Sequence, residues 1–226
     1  MVEEIFAVRE RPEDIFKRRL KIFALILVAL VFSVVIHNLL VEYLLLEITR
    51  HSPAVINNWF IYSSLLSIIG FLHGTLTWLT GFTLTHVFTI VRYRQKKLEI
   101  AALVLTIWGL LLIITYLPLI FNPLTLQDFL SVIESPPSLV EYLIYALPVL
   151  GYFLLGLSLS RAAKHLSLGT YLRIGGYLTM VGAILFLVRY GWIVLSGGLL
   201  IISVGLLRWR RVEETMNMIS SEETTS

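Results

Sequence analysis

The stretch NWFIYSSLLSIIGFLHGTLTWLTGFTLTHVFTIV, from Asn58 to Val91, decides the fold. It holds no Asp, Glu, Lys or Arg over 34 residues. An uncharged apolar run beyond about 18 residues is the signature of a membrane helix. Ser63, Ser67, Gly70, Gly74, Thr77, Gly81 and Thr85 recur every three or four residues along it. At helical period they form one stripe of small side chains. In lipid such a stripe lets another backbone come close, and packing drives association there. The reading is therefore a helix that its neighbours pack around. At 1.5 Å per residue the run reaches ~50 Å against a hydrocarbon core of about 30 Å. It must tilt, protrude on the outer side, or break near Gly70 or Gly74. Protrusion is preferred, because the preceding span also continues helically past Glu42.

The rest of the chain repeats this character. It has 226 residues, 57% of them hydrophobic, with a mean hydropathy of +0.84. Soluble domains are nearer 45–50% apolar and lack repeated runs of membrane-spanning length. The net charge is +3, but the basic residues sit at the ends of apolar runs. Their partner is the membrane surface and not nucleic acid. The absence of cysteine excludes disulfides, thiolate metal sites and cysteine nucleophiles.

Outward from the central stretch, residues 22–46 make the first span. Lys17, Arg18, Arg19 and Lys21 precede it, and Pro12-Glu-Asp is a good helix start. No small-residue cleavage site follows, so the segment does not read as a signal peptide. Ser52-Pro53 caps the approach to span two, which covers 58–91. The third span is 98–117, with Pro118 at its outer end. Thr125-Leu-Gln-Asp128 is a capping box opening a short interfacial helix, and Ser138-Leu-Val-Glu141 is a second one. Span four, 139–160, contains Pro148, which is expected to kink it. Spans five (171–188) and six (192–207) are joined by the tight turn Arg189-Tyr-Gly191. The polar tail 212–226 reads as disordered. The fold class is thus all-α, a single domain over 1–211 of six transmembrane helices. Sixteen of the eighteen Lys and Arg fall on one side, only Arg50 and Arg189 on the other. By the positive-inside rule both termini are cytoplasmic in the cell membrane.

Chemistry is sparse. His37 lies 17 residues before Ala54, the centre of the first turn, and His73 lies 19 after it. In an antiparallel hairpin they share one depth. Two facing imidazoles can ligate a b-type haem, with Gly70 and Gly74 leaving room for a flat ring. The plainer reading is an interhelical hydrogen bond. A second pair, His51 and His86, fits less well, because its offsets are fourteen and thirteen residues and thirteen leaves the helix face. Glu42, Glu47, Asp128, Glu134 and Glu141 all sit at span ends or in loops. No span carries a charge near its middle, which argues against a proton-coupled carrier. No His-Glu-x-x-His, phosphate-cradling loop or Gly-x-Ser-x-Gly elbow occurs, so the chain is not expected to be an enzyme. The five tryptophans read as interface residues needing no ligand.

From Tyr142 to Arg211 the chain resembles the C-terminal part of archaeal multi-spanning membrane proteins of unknown activity. The residues concerned are Gly151-Tyr-Phe-Leu-Leu, Arg161 to His165, Leu172-Arg-Ile-Gly-Gly and Val181-Gly-Ala-Ile-Leu. The resemblance covers about a third of the chain and brings no functional residues with it. The function preferred from sequence is non-enzymatic: a structural or accessory subunit packing in the bilayer against itself or a larger complex. The alternatives are a small-solute transporter or channel along the stripe of span two, and a haem b electron carrier through His37 and His73.

Overall fold

Pro12 is the first residue of the first helix, where its missing N–H costs nothing. The computed structural model describes residues 12–89, 96–135, 138–165, 169–186 and 190–208. All regular structure among them is α-helical: α1 (Pro12–Thr49), α2 (Pro53–Asn57), α3 (Trp59–Thr89), α4 (Lys96–Phe121), α5 (Leu126–Glu134), α6 (Leu139–His165), α7 (Thr170–Leu185) and α8 (Gly191–Arg208). Five helices, α1, α3, α4, α6 and α8, are long and apolar enough to cross a membrane. The protein is a helical membrane protein. α7 is described over 16 residues, about 24 Å, and is not among those five. The end of span two beyond Thr89, the basic stretch 90–95, the link 166–168, the turn at Arg189 and the tail 212–226 lie outside the described residues. So does the Glu141 side chain of the second expected capping box.

The long helices close into a ring. α1 packs on α3, α3 on α4, α4 on α6, α6 on α7, α7 on α8, and α8 returns to α1. Neighbours run antiparallel. Arg19 Nη1 donates to the His86 carbonyl at 3.3 Å at one end of the α1–α3 pair, and Ser33 meets His73 further along it. This corrects the expectation that α3 is a hub. A stripe of small residues is one narrow face, and one close neighbour fills it. The helix itself is unbroken at Gly70 and Gly74, so of the three ways to fit its length, a break is ruled out. Pro118, expected to end span three, lies inside α4. The backbone bond it forfeits falls in the last turn of the helix, where the chain is exposed. α6 likewise runs through Pro148.

Several hydroxyls inside the bundle are satisfied within their own helices, whereas those of Ser158 and Ser196 are buried without a partner among the described residues. Ser67 donates to the Ser63 carbonyl, Thr77 to His73, Thr80 to Leu76, Thr179 to Gly175 and Ser203 to Leu199, all at 2.8–2.9 Å. This back-bonding lets Ser and Thr occupy a lipid-embedded interior without an unmet donor.

Two apolar clusters bracket the ring. The larger joins Phe16, Leu20, Phe23 and Leu27 of α1 with Leu98, Leu105, Leu159, Leu172 and Leu206 at the basic end and runs on through Val34, Tyr152 and Leu195 to Trp192. The smaller, at the opposite end, joins Leu44, Val55, Trp59, Leu66 and Phe129. α5 is held there by its Thr125–Asp128 capping box: Thr125 accepts from the Asp128 N–H at 3.1 Å, and Asp128 accepts in return from the Thr125 N–H at 3.3 Å.

α1 stops in a Schellman motif. The His51 N–H donates to Ile48 O at 2.9 Å and the Ser52 N–H to Glu47 O at 3.0 Å. His51 sits at φ +53°, a conformation glycine adopts at no steric cost. His51→Gly is therefore expected to leave stability unchanged or raise it by a few tenths of a kcal/mol, whereas β-branched His51→Val should lower it by about 1–2 kcal/mol. Thermal denaturation in detergent measures both.

Candidate functional site

Beside Val34, Tyr152 and Leu195 of the larger cluster the ring leaves a cavity of about 200 Å³, to which every helix or helix end of the ring contributes. Its polar lining is His37 and Asn38 from α1, His73 from α3, Tyr116 from α4, and Tyr145 and Tyr152 from α6. Its apolar walls include Val34, Leu112 and Leu195. No lining side chain is acidic, and none is Lys or Arg.

The hydrogen bonds fix much of the chemistry. His37 Nε2 lies 3.2 Å from the Tyr116 hydroxyl, the two rings edge to face at 5.9 Å. Ser33 Oγ donates its proton to Leu30 O at 2.8 Å. It can therefore only accept at its 3.5 Å contact with His73 Nδ1. That contact suits the tautomer with its proton on Nδ1, in which Nε2 is the acceptor. Asn38 Nδ2 donates to Val34 O at 2.8 Å. Tyr152 is 2% exposed, and its hydroxyl has no well-formed hydrogen bond. Thr77 stands beside it but gives its own proton to His73 O at 2.9 Å. A buried hydroxyl left without a partner costs about 1–3 kcal/mol, so it calls for an explanation.

Neither protein-family models, curated proteins nor solved structures give a match to this chain. The reading of the site therefore rests on its geometry.

His37 and His73 face one another with ring centroids 6.1 Å apart. The room expected for a macrocycle beside them is taken. A Cβ on Gly70 would meet the Tyr116 ring at 2.5 Å, and one on Gly74 would meet Leu112 Cβ at 2.8 Å and Ile113 N at 2.9 Å. The cavity is also smaller than the ~300–1,000 Å³ of ordinary cofactor sites. These two histidines do not fit a haem. His51 and His86 lie at opposite ends of the bundle and form no pair. His51 terminates α1, and His86 is in the last turn of α3, its ring nitrogen Nδ1 2.8 Å from Phe82 O. Among the described residues no group of three or more His, Asp or Glu is placed to hold a metal ion.

The stripe of span two lies apart from the cavity over most of its length. Ser63, Ser67, Gly70, Gly74, Thr77 and Gly81 are buried and Thr85 is half-buried. Gly70, Gly74 and Gly81 face α4, the last against Ala102 O and Thr106. Of the carboxylates, Glu47 pairs with Arg50 at 3.4 Å and Asp128 serves its cap. Sequence reasoning missed Asn38, Trp108, Tyr116, Tyr145 and Tyr152 as lining residues. A signal existed on α6, where Tyr145 and Tyr152 are seven residues apart and so share one helix face. Trp108, read as an interface residue, lines the cavity.

Proposed function

We propose a six-span, non-enzymatic membrane protein that carries a small uncharged solute through its central cavity. The observation behind this is the cavity itself, uncharged, mainly apolar with polar groups from four helices, and partly open beside Tyr145. α7 is taken as the sixth span, with both termini cytoplasmic and the Trp59–Phe129 end outside. An ion at this depth would meet no counter-charge among the lining residues, so a neutral solute suits it. The accessory-subunit role draws less support. The stripe that suggested a partner contacts α4 of the same chain, and the apolar outer surface of the ring is satisfied by lipid.

A solute that binds only the folded protein at a hundred times its Kd adds about 2.7 kcal/mol of stability. In a panel of neutral and charged small molecules, at least one neutral member should raise the melting temperature in detergent. Val34→Phe, which fills the cavity, should remove that rise. A panel without any protection would count against the carrier and return the accessory role to first place. Reporters fused after Arg211 and within 92–98 should read cytoplasmic and those at Asp128 external; an external signal from 92–98 would overturn the six-span arrangement.

A further inference from the structure

We infer that the solute is a small neutral hydroxyl compound, glycerol-like in size, held between His73 Nε2 and the Tyr152 hydroxyl. This rests on the carrier reading above and names its substrate class.

The two protein groups are complementary to a hydroxyl. In the tautomer with its proton on Nδ1, directed to Ser33, His73 accepts through Nε2. The buried Tyr152 hydroxyl makes no well-formed hydrogen bond, although Thr77 stands beside it and its oxygen keeps its accepting lone pairs. An alcohol donates to the one and accepts from the other. Of the other lining groups, His37 is engaged with Tyr116, and Asn38 gives one amide proton to Val34 O. Size points the same way. A cavity of about 200 Å³ is below the ~300–1,000 Å³ of ordinary small-molecule sites, so its guest is small. The absence of lining Asp, Glu, Lys or Arg disfavours carboxylates and ammonium ions. The rings of Trp108 and Tyr116 and the side chains of Leu112 and Leu195 supply the apolar surface for a polyol's C–H face.

The test uses the full chain in liposomes, with solute entry followed by stopped-flow light scattering for glycerol, ethylene glycol, urea and acetamide. The wild type should admit glycerol and ethylene glycol faster than protein-free liposomes do. Tyr152→Phe keeps the ring and removes the donor. It should slow both alcohols roughly tenfold, the size of one well-made hydrogen bond, and leave the amides unchanged. The variant should melt no lower than wild type, since it loses only an unpaired hydroxyl, and this separates a binding defect from misfolding. Entry of amides but not of alcohols would overturn the hydroxyl assignment and leave the carrier reading standing. So would alcohol entry that is indifferent to Tyr152→Phe. Entry of none of the four, with none of them protecting the protein from heat, would overturn both.

Discussion

Gly109→Leu is expected to split the α3–α4 pair and leave no stable bundle. A Cβ on Gly109 would lie 2.6 Å from Trp78 Cα and 2.7 Å from Gly74 O. Both are backbone atoms, which cannot step aside as a flexible side chain does. Overpacking of a tight core costs about 1–3 kcal/mol and occasionally more. Here the obstacle is another helix axis, so the upper end applies. Lipid returns nothing for the larger apolar side chain. Gly197→Leu is the control, because a Cβ there meets no atom within 4 Å. It should be neutral or raise stability by up to about 1 kcal/mol, as glycine is a poor helix residue. Thermal scans and gel-filtration profiles in mild detergent report both. Equal behaviour of the two variants would refute the close α3–α4 contact.

Trp59→Ala should detach the outer cap. The indole is 7% exposed, lies 4.9 Å from the Phe129 ring, and donates from Nε1 to Leu124 O at 2.8 Å. It thereby fastens the approach to α5 and α5 itself to the start of α3. Removing a buried tryptophan costs about 3–5 kcal/mol. The loss should be local, since Trp59 and Phe129 belong to the smaller cluster and share no member with the larger one. Proteolysis between Asn122 and Ser135 should become fast while the remainder of the bundle stays resistant. Trp59→Phe, which gives up the hydrogen bond but keeps a ring, should show about 1 kcal/mol of that effect. Protection unchanged in Trp59→Ala would mean that α5 is held by something else.

The spans were legible because lipid imposes a simple demand: long uncharged runs, with charges at their ends. Counting from the first turn places His37 and His73 at one depth, and their rings lie 6.1 Å apart. A rigid 1.5 Å rise makes such arithmetic work. Neighbour relations were less legible. Ser63 to Thr85 mark a face of α3, but periodicity cannot say how many helices share it, and so α3 looked like a hub. Gly156 and Gly176 give another close seam, between α6 and α7, and Gly175 and Gly198 one between α7 and α8. In α8, Gly191, Gly198 and Gly205 recur every seven residues and so mark the face toward α7, but Gly151 and Gly156 of α6 are five apart and mark none. The cavity was hidden too. Its polar groups come from four helices, and none of them is charged. Only the closing of the ring brings Tyr116, Tyr152 and His73 around one space.

That closing also sets an order of events during synthesis. Five of the six seams join helices that follow one another, and each can zip as the second helix emerges. The sixth, between α1 and α8, joins segments separated by almost the entire chain. Until α8 arrives, α1 presents the face that α8 will cover to whatever the membrane supplies. A newly made chain is therefore an open arc before it is a ring. In that interval the free edges of two arcs are complementary to one another, and each arc is at its most susceptible to pairing with a second copy instead of with itself.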